Sequence, residues 1–324
     1  MANELSVVPT KSAPTVITLS DAREQARDYM RQARAANTIR GYGADWRHFC
    51  GWCGERGLAA LPAAPDTIAA YLSTLAASRK PATLTRRISA ISQAHQLAGH
   101  ESPADAAPVK LVMAGIRRAK GTAPDAKVPA LTDNIRAMIA AMPDGLLGVR
   151  DRALLLVGFM GAFRRSELVG LDWGDCTFTR EGVVLKLRRS KTDQEGLGRK
   201  VAIPAGANAE TCAVRALQAW REASGTDAGP IFRPVDRHRH VHGSRLSAYA
   251  VALVVKRYAA AAGLDPTHFA GHSLRAGLAT AAAIAGASER SIMAQTGHKS
   301  VGMVRRYIRD GNLFRENAAG TLRL

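Results

Sequence analysis

The strongest constraint on the fold is a three-to-four-residue spacing of apolar side chains that recurs along most of the chain. This spacing is typical of amphipathic helices. In the first part of the chain it predicts helices over about 20–34, 37–55, from Pro65, from Pro81 and over 109–118. Ser20 and Asp21 are the expected cap of the first helix, because such side chains accept hydrogen bonds from free amides. The pattern predicts a helical bundle without strands.

The spacing changes once, between 183 and 203, where every second residue is apolar. This period is typical of β-strands, and the basic segment SKTDQEGLGRK (190–200) separates the two stretches, so we predict a hairpin. Helices are expected on both sides of it, over about 132–141 (capped by Thr132), 151–161, 210–223, 247–263, 272–286, 289–296 and from 300. The predicted fold is mostly α-helical, with a small β-hairpin or sheet in the second of two domains.

Breaks in the helical pattern set the expected domain limits. Residues 1–18 are polar and without periodicity, which predicts a flexible arm, and 19–118 form the helical domain. The segment AKGTAPDAKVPA (119–130) has small residues and prolines, as linkers do. Residues 131–324 form the second domain, with a C-terminal helix expected over 313–324.

The net charge of the chain limits which classes of function are expected. The 324 residues carry a net charge of +18, and the sequence pI is about 10.5. Residues 1–125 hold 16 basic and 10 acidic side chains (+6), and the rest hold 29 and 17 (+12). Such a surface attracts a polyanion, most often nucleic acid. The mean hydropathy of −0.10 and 22% charged residues argue against disorder.

The chain lacks sequence signals for export or membrane insertion. The first residues have no apolar signal core, and the longest apolar run, 153–163, is too short to cross a bilayer. We therefore expect a cytoplasmic protein, without membrane association. Cys50 and Cys53 form one C-x-x-C pair without a second pair, which disfavours zinc. Both are expected to pack in a helix beside three aromatic residues, Trp46, Phe49 and Trp52.

Four segments of the second domain concentrate side chains suited to phosphoryl transfer. They are GAFRRSELVGLDWGD (161–175), RRSKTDQEG (188–196), HSLRAG (272–277) and QTGHKSVGMVRRYI (295–308). Each alone has an ordinary structural explanation, such as a surface ion pair, a helix cap or a core tyrosine. Together they supply two guanidinium groups for a phosphate, a phenol as nucleophile and a lysine as acid. The sequence has no carboxylate cluster suited to Mg²⁺, which favours chemistry without a metal or other cofactor.

The order of these motifs resembles the tyrosine recombinase (phage integrase) family, of the Cre/Xer type. The order is R-R-S-E-L, a hairpin lysine, H-x-L-R-x-G, G-H and a tyrosine nine residues after that histidine. The resemblance covers 131–310 and implies a bacterial or phage origin. The first domain resembles the helical, SAM-like core-binding domain through W-x-x-F-x-x-W-C (46–53) and LVMAGIRRAK (111–120).

The resemblance implies roles for individual residues. Tyr307 is the nucleophile that forms a 3′-phosphotyrosyl bond with DNA, and His272 handles its proton. Arg164 and Arg275 clamp the scissile phosphate. Arg165 adjoins Arg164, and the spacing to the glutamate of R-R-S-E-L favours Arg164 as the clamp.

Three further residues complete the implied site. Lys191 is the general acid for the 5′-hydroxyl, with Lys186 and Lys200 as alternatives. His298 donates a hydrogen bond to the phosphate, and Glu167 supports the site from behind.

The implied function is site-specific recombination through a Holliday junction, without metal or ATP. The implied partners are duplex DNA with an inverted-repeat target and three further copies of the chain, with 313–324 docked into a neighbouring protomer. Two alternatives remain: a topoisomerase-like or telomere-resolving strand transferase, and an inactive DNA-binding regulator on the same scaffold.

DNA contacts are expected from both domains, closing as a clamp on the duplex. The resemblance implies that the helix after the stretch RHRHVHGSR (237–245) enters the major groove, as it does in relatives. This stretch is therefore interpreted as a basic DNA-contacting loop rather than a metal site. The candidate contacts are Arg40, Arg47, Arg79, Lys80, Arg86 and Arg87 on the polar faces of the first domain, and Arg237, Arg239, Arg245, Ser247, Ala248 and Tyr249 in the second.

Overall fold

The computed structural model describes residues 18–32, 35–123, 127–188 and 198–311. The chain divides into two compact units, Met1–Pro124 (unit 1) and Asp125–Leu324 (unit 2). Each has its own buried apolar cluster. The described helices include none that is both long and apolar enough to span a membrane.

The described part of unit 1 is helical, as the apolar spacing predicts. Its helices are α1 (Leu19–Gln32), α2 (Ala36–Gly54), α3 (Pro65–Ala76), α4 (Pro81–Leu97) and α5 (Ala107–Lys120), with a 3₁₀ turn over Pro103–Asp105. Proline opens α3 and α4, where its missing amide proton costs nothing. Helix α5 continues into the first two residues of the predicted linker.

Two helix caps differ from the prediction. Helix α1 is capped by Thr18 rather than Ser20, since Thr18 Oγ1 accepts from the Asp21 amide (3.2 Å) and Asp21 Oδ2 accepts from the Thr18 amide (3.3 Å). In unit 2, Thr132 is the first residue of its helix, and the cap is Leu131, whose amide donates to Asn134 Oδ1 (3.0 Å). In both helices the side chain of the third helical residue completes the cap and determines where the helix begins.

The core of unit 1 is aromatic. The Tyr71 ring meets those of Phe49 and Trp52 edge to face, with centroids 5.0 and 5.3 Å apart. Cys53 is fully buried in this cluster, and Cys50 is half-buried on the same helix; both are free thiols. The predicted packing of the C-x-x-C pair in an aromatic helix is confirmed.

Arg87 corrects the prediction that it lies on a polar face. Arg87 is 7% exposed. Its Nη1 donates to the Tyr71 hydroxyl, and its Nε lies 3.7 Å from Asp45 Oδ1. Arg86 remains exposed, although its Nε donates to Asp45 Oδ2 (2.7 Å). Because Asp45 is buried, a buried cation is needed beside it, and Arg87 provides that charge.

Unit 2 packs helices around a long buried segment. The helices are α6 (Thr132–Ala140), α7 (Leu146–Met160), α8 (Arg165–Gly170), α9 (Ala213–Ser224), α10 (Ala248–Ala261), α11 (Gly271–Ile284), α12 (Glu289–Thr296) and α13 (Val301–Gly311). Helix α7 begins five residues before the predicted Asp151, which is itself buried and bonded to Arg150 (Nε–Oδ1, 2.8 Å) and to the Tyr258 hydroxyl (2.9 Å).

The predicted hairpin is confirmed, with one further strand. Strands β1 (Cys176–Phe178), β2 (Gly182–Leu187) and β3 (Arg199–Pro204) form an antiparallel sheet in that order. The three-residue strand β1 is too short to show an alternating pattern. The tip between β2 and β3, including Lys191, and the segment 313–324 lie outside the described residues.

Candidate active site

Helix α11 brings His272 and Arg275 to one face, as their spacing predicts. Arg275 is 1% exposed, and its Nη1 donates to the carbonyl of Ala162 (2.8 Å). In the described part of the chain its Nη2 is buried without a hydrogen-bond partner. Burying a guanidinium nitrogen without an acceptor costs free energy of folding, which indicates a binding position for an anionic ligand.

The turn before α8 directs that carbonyl. Ala162 has a φ of 49°, a left-handed conformation that a side chain with a β-carbon rarely adopts. Its side chain is fully buried, so packing holds the turn in place. Strained backbone of this kind is common where a functional group must be aimed.

Arg164 and Glu167 form a reciprocal pair at the start of α8. Glu167 Oε2 accepts from the Arg164 amide (2.9 Å), and Oε1 accepts from Arg164 Nη1. The Glu167 side chain is 2% exposed and that of Arg164 is 20% exposed, whereas Arg165 is exposed. The carboxylate therefore fixes the Arg164 side chain while leaving part of it accessible.

Tyr307 reaches this cluster from α13 of the same chain. Its hydroxyl oxygen lies 3.2 Å from His272 Nε2, and its ring centroid lies 5.9 Å from that of His298. Tyr307 and His298 are half-buried. Tyr307 thus has a proton acceptor in contact and cations nearby.

Burial and the positive charge of the site favour the neutral form of both imidazoles. Burial, then the charges of Arg275 and Arg164, lowers the pKa of His272. The same causes, with His272 and Arg199 added, lower the pKa of His298 to about 4. Burial and the charge of Arg164 lower the pKa of Arg275 to about 10. A neutral His272 is able to accept the phenol proton, and the crowded cations favour a bound anion.

Arg199 is a site residue that sequence reasoning missed. From β3 its Nη1 donates to the carbonyl of Gln295 (3.0 Å) and its Nη2 to that of Thr296 (3.4 Å), at the C-terminal end of α12. Burial lowers its pKa, and its charge acts on Arg275 and His298. Arg199 is in phase with the buried Val201 and Ile203, so a charge on the apolar face of the strand was the available signal.

The two alternatives to Lys191 lie elsewhere on the sheet. Lys186 and Lys200 are register partners, and both are exposed. Side chains alternate along a strand, so Lys200 lies on the face opposite Arg199. Lys191 itself lies outside the described residues, and the choice among the three lysines stays a prediction.

Most candidate DNA contacts are exposed, and in unit 2 Arg245 is held by hydrogen bonds within the chain. Arg245 Nη1 donates to the carbonyls of Val169 (2.6 Å) and Leu171 (3.1 Å), and its Nη2 donates to Asp172 Oδ1. This guanidinium therefore supports the loop after α8. The exposed candidates are Arg40, Arg47, Arg79, Lys80 and Arg86 in unit 1, and Arg237, Arg239, Arg245, Ser247 and Tyr249 in unit 2, whereas Ala248 is half-buried.

The loop before α10 is organised around one carboxylate. Asp236 Oδ1 accepts from the amides of His238 (2.8 Å) and His240 (2.9 Å), and Oδ2 lies 3.2 Å from His240 Nδ1. Ser247 then caps α10 by accepting from the Ala250 amide (3.1 Å). Over the described ranges, no group of three or more His, Cys, Asp or Glu side chains is placed to hold a metal ion.

Residues 131–312 match the phage integrase family, and residues 27–102 match the N-terminal SAM-like domain of phage integrases. The chain belongs to the phage integrase family. The resemblance predicted from the four motifs is confirmed. An integrase/recombinase of Selenomonas ruminantium, described as a XerD homologue, is 44% identical to this tyrosine recombinase over 91% of the chain and 87% of its own length.

Solved structures share the fold. A XerH site-specific recombinase bound to a palindromic difH substrate matches with a TM-score of 0.60 and 16% identity, over 81% of this chain and 73% of that one. A lambda integrase tetramer bound to a Holliday junction matches with a TM-score of 0.59 and 20% identity, over 94% and 80%. The predicted class, mostly α-helical with a small sheet and two domains, is confirmed.

Proposed function

We propose that this recombinase cuts and rejoins DNA at specific sites with Tyr307 as its nucleophile. The observation that carries the proposal is the 3.2 Å contact between the Tyr307 hydroxyl and His272 Nε2, beside the unpaired Nη2 of Arg275. This arrangement brings a nucleophile, a base and a phosphate-binding cation together within one chain.

The proposed first step exchanges one phosphate ester for another. The Tyr307 oxygen attacks the phosphorus, its proton passes to His272, and the bond from phosphorus to the 5′-oxygen breaks. Lys191 protonates the departing 5′-oxygen. The product is a 3′-phosphotyrosyl ester and a free 5′-hydroxyl. Attack by a 5′-hydroxyl of another strand reverses these steps and restores a DNA strand, so no ATP is required.

Charge stabilisation in this proposal comes from the side chains. Arg164 and Arg275 hold the two non-bridging oxygens and offset the charge that builds up in the transition state. Glu167 supports Arg164 through two hydrogen bonds. His298 donates to the phosphate. The mechanism therefore assigns no step to a metal or other cofactor.

The proposed substrate is duplex DNA with an inverted-repeat target, bound by four copies of the chain. Similar solved structures support this: one holds a palindromic substrate, and another is a tetramer on a Holliday junction. We further propose that 313–324 docks into a neighbouring protomer, and that the protein acts in the cytoplasm. Topoisomerase-like and regulatory functions are not favoured, since the chain covers most of a relative described as an integrase/recombinase.

The decisive experiment traps the covalent intermediate. Nicked suicide duplexes are selected from a sequence library for covalent attachment to the wild-type protein, and the attached residue is found by mass spectrometry. Tyr307→Phe is expected to abolish the adduct while the protein still binds DNA. Tyr42→Phe is the matched control, since Tyr42 lies on α2 of unit 1 and is neither a site residue nor a candidate DNA contact, and it should still form the adduct. An adduct on Tyr307→Phe, or none on the wild-type protein, would contradict the proposal.

A further inference from the structure

The hydroxyl of Thr296 lies near three hydrogen-bonding groups and has one proton to donate. The carbonyl of Met293 is the farthest of the three, 3.5 Å from Oγ1. Thr296 is fully buried at the end of α12. Its Oγ1 lies 2.7 Å from the carbonyl of Ile292 and 2.7 Å from His298 Nδ1. A carbonyl oxygen only accepts hydrogen bonds, so the contact with Ile292 must use the hydroxyl proton. The hydroxyl oxygen is then an acceptor towards His298.

The direction of this hydrogen bond determines which nitrogen of the His298 ring carries the hydrogen. If Thr296 Oγ1 accepts, His298 Nδ1 must carry a hydrogen. A neutral imidazole has one N–H, so Nε2 then holds a lone pair. In that form Nε2 is unable to donate to a phosphate oxygen, which is also an acceptor. A donor at Nε2 requires the doubly protonated ring.

We propose that Thr296 is a positioning residue that keeps the His298 proton on Nδ1, so that His298 bonds to the scissile phosphate only after taking up a proton. This inference rests on the proposed function for the identity of the anion. The site would then bind phosphate and one proton together.

The charges around His298 give the direction of this coupling. Burial and the charges of Arg275, Arg164, His272 and Arg199 all act in the same direction and lower its pKa to about 4. The ring is therefore neutral near pH 7 until an anion arrives. An anion raises the pKa, so anion binding should strengthen as the pH falls. The facing groups are Arg164 and Glu167 at the start of α8, Arg199 of β3, His272 and Arg275 of α11, and Tyr307 of α13.

A purely structural Thr296 would behave differently. If its hydroxyl only satisfied the Ile292 carbonyl, replacing it would lower stability and leave the imidazole tautomer unchanged. Thr296→Val keeps the shape of the side chain and removes the acceptor, which frees His298 to adopt the Nε2–H form. Thr296→Ser restores the hydroxyl and is the matched control.

The test is nitrogen NMR of the full chain with ¹⁵N-labelled histidine. His298→Gln assigns the His298 signals. Near pH 7 the wild-type protein and Thr296→Ser should show the Nδ1–H tautomer, and Thr296→Val should shift towards Nε2–H. An Nε2–H ring in the wild-type protein, or an unchanged tautomer in Thr296→Val, overturns the inference. If the valine variant folds poorly, the tautomer of the wild-type protein still decides the inference.

Inorganic sulfate is the probe for proton uptake, because it has one charge state at these pH values. Titration with sulfate should convert His298 of the wild-type protein to the doubly protonated form, while Thr296→Val should bind sulfate with a neutral ring. A wild-type ring that stays neutral throughout overturns the coupling. The tautomer measurement does not depend on DNA cleavage, so the absence of a covalent adduct from the wild-type protein would contradict the proposed function alone.

Discussion

At the scale of single residues, the buried carboxylate of Glu167 is expected to control where Arg164 lies. Glu167→Gln removes the negative charge and replaces one of the two accepting oxygens by an amide NH₂ group, which only donates. Arg164 then lacks its ionic partner while other cations surround it. Breaking a buried ion pair costs about 3 kcal/mol, and misplacing a charge-stabilising donor lowers the cleavage rate about 100-fold. Urea denaturation and the rate of adduct formation measure the two effects.

The control for this prediction is a pair with the same spacing on the surface. Asp133 and Arg136 lie three residues apart, and their side chains are 92% and 64% exposed. Exposed pairs contribute under about 1 kcal/mol, so Asp133→Asn should hardly change stability or rate. Equal effects of the two variants would show that burial of Glu167 does not matter.

At the scale of elements, the glycine of H-S-L-R-A-G sets how closely α11 meets the segment before α6. A β-carbon on Gly277 would lie 2.0 Å from the carbonyl oxygen of Ala130, and the Ala130 amide donates to the Ser273 carbonyl (3.0 Å). Gly277→Ala must push the backbone away, at a cost of about 3 kcal/mol. Because the same helix holds His272 and Arg275, adduct formation should also slow.

A glycine in α5 is the matched control, with the opposite expected sign. Nothing lies within 4 Å of a β-carbon added to Gly115. Alanine has the higher helix propensity, so Gly115→Ala should raise the free energy of unfolding by up to about 1 kcal/mol. Thermal and urea denaturation of both variants check the pair, and a stable Gly277→Ala protein would refute the close contact.

Elements and their side chains were not equally predictable from the sequence. Helices and the hairpin follow from local periodicity, and the spacing of His272 and Arg275 places them on one face. Thr18 was missed as a cap because the choice depends on Asp21 in the next turn. Arg87 and Arg199 were misjudged or missed because their roles depend on Asp45 and on the end of α12, which are distant in the chain. Local patterns carry no information about such partners.

At the scale of the whole molecule, the net charge of +18 is distributed over both units. Many cations are exposed, as binding to the DNA backbone requires, while Arg87, Arg164, Arg199 and Arg275 are at least partly withdrawn from solvent. A guanidinium group that is at least partly buried positions other groups or binds one particular phosphate. The exposed cations are therefore the ones that determine non-specific affinity and its dependence on salt.

Salt titration should separate these two kinds of arginine. Each phosphate contact releases counterions, so losing one lowers the slope of log affinity against log salt by about 0.9. Arg79→Gln in unit 1 and Arg239→Gln in unit 2 should each reduce the slope with little change in stability. Arg87→Gln should instead lower the free energy of unfolding by about 3 kcal/mol, since Asp45 loses its buried partner, and should leave the slope unchanged. Fluorescence anisotropy with a duplex of arbitrary sequence measures the slopes. A slope reduced as much by Arg87→Gln as by Arg79→Gln would mean that burial does not decide which cations reach DNA.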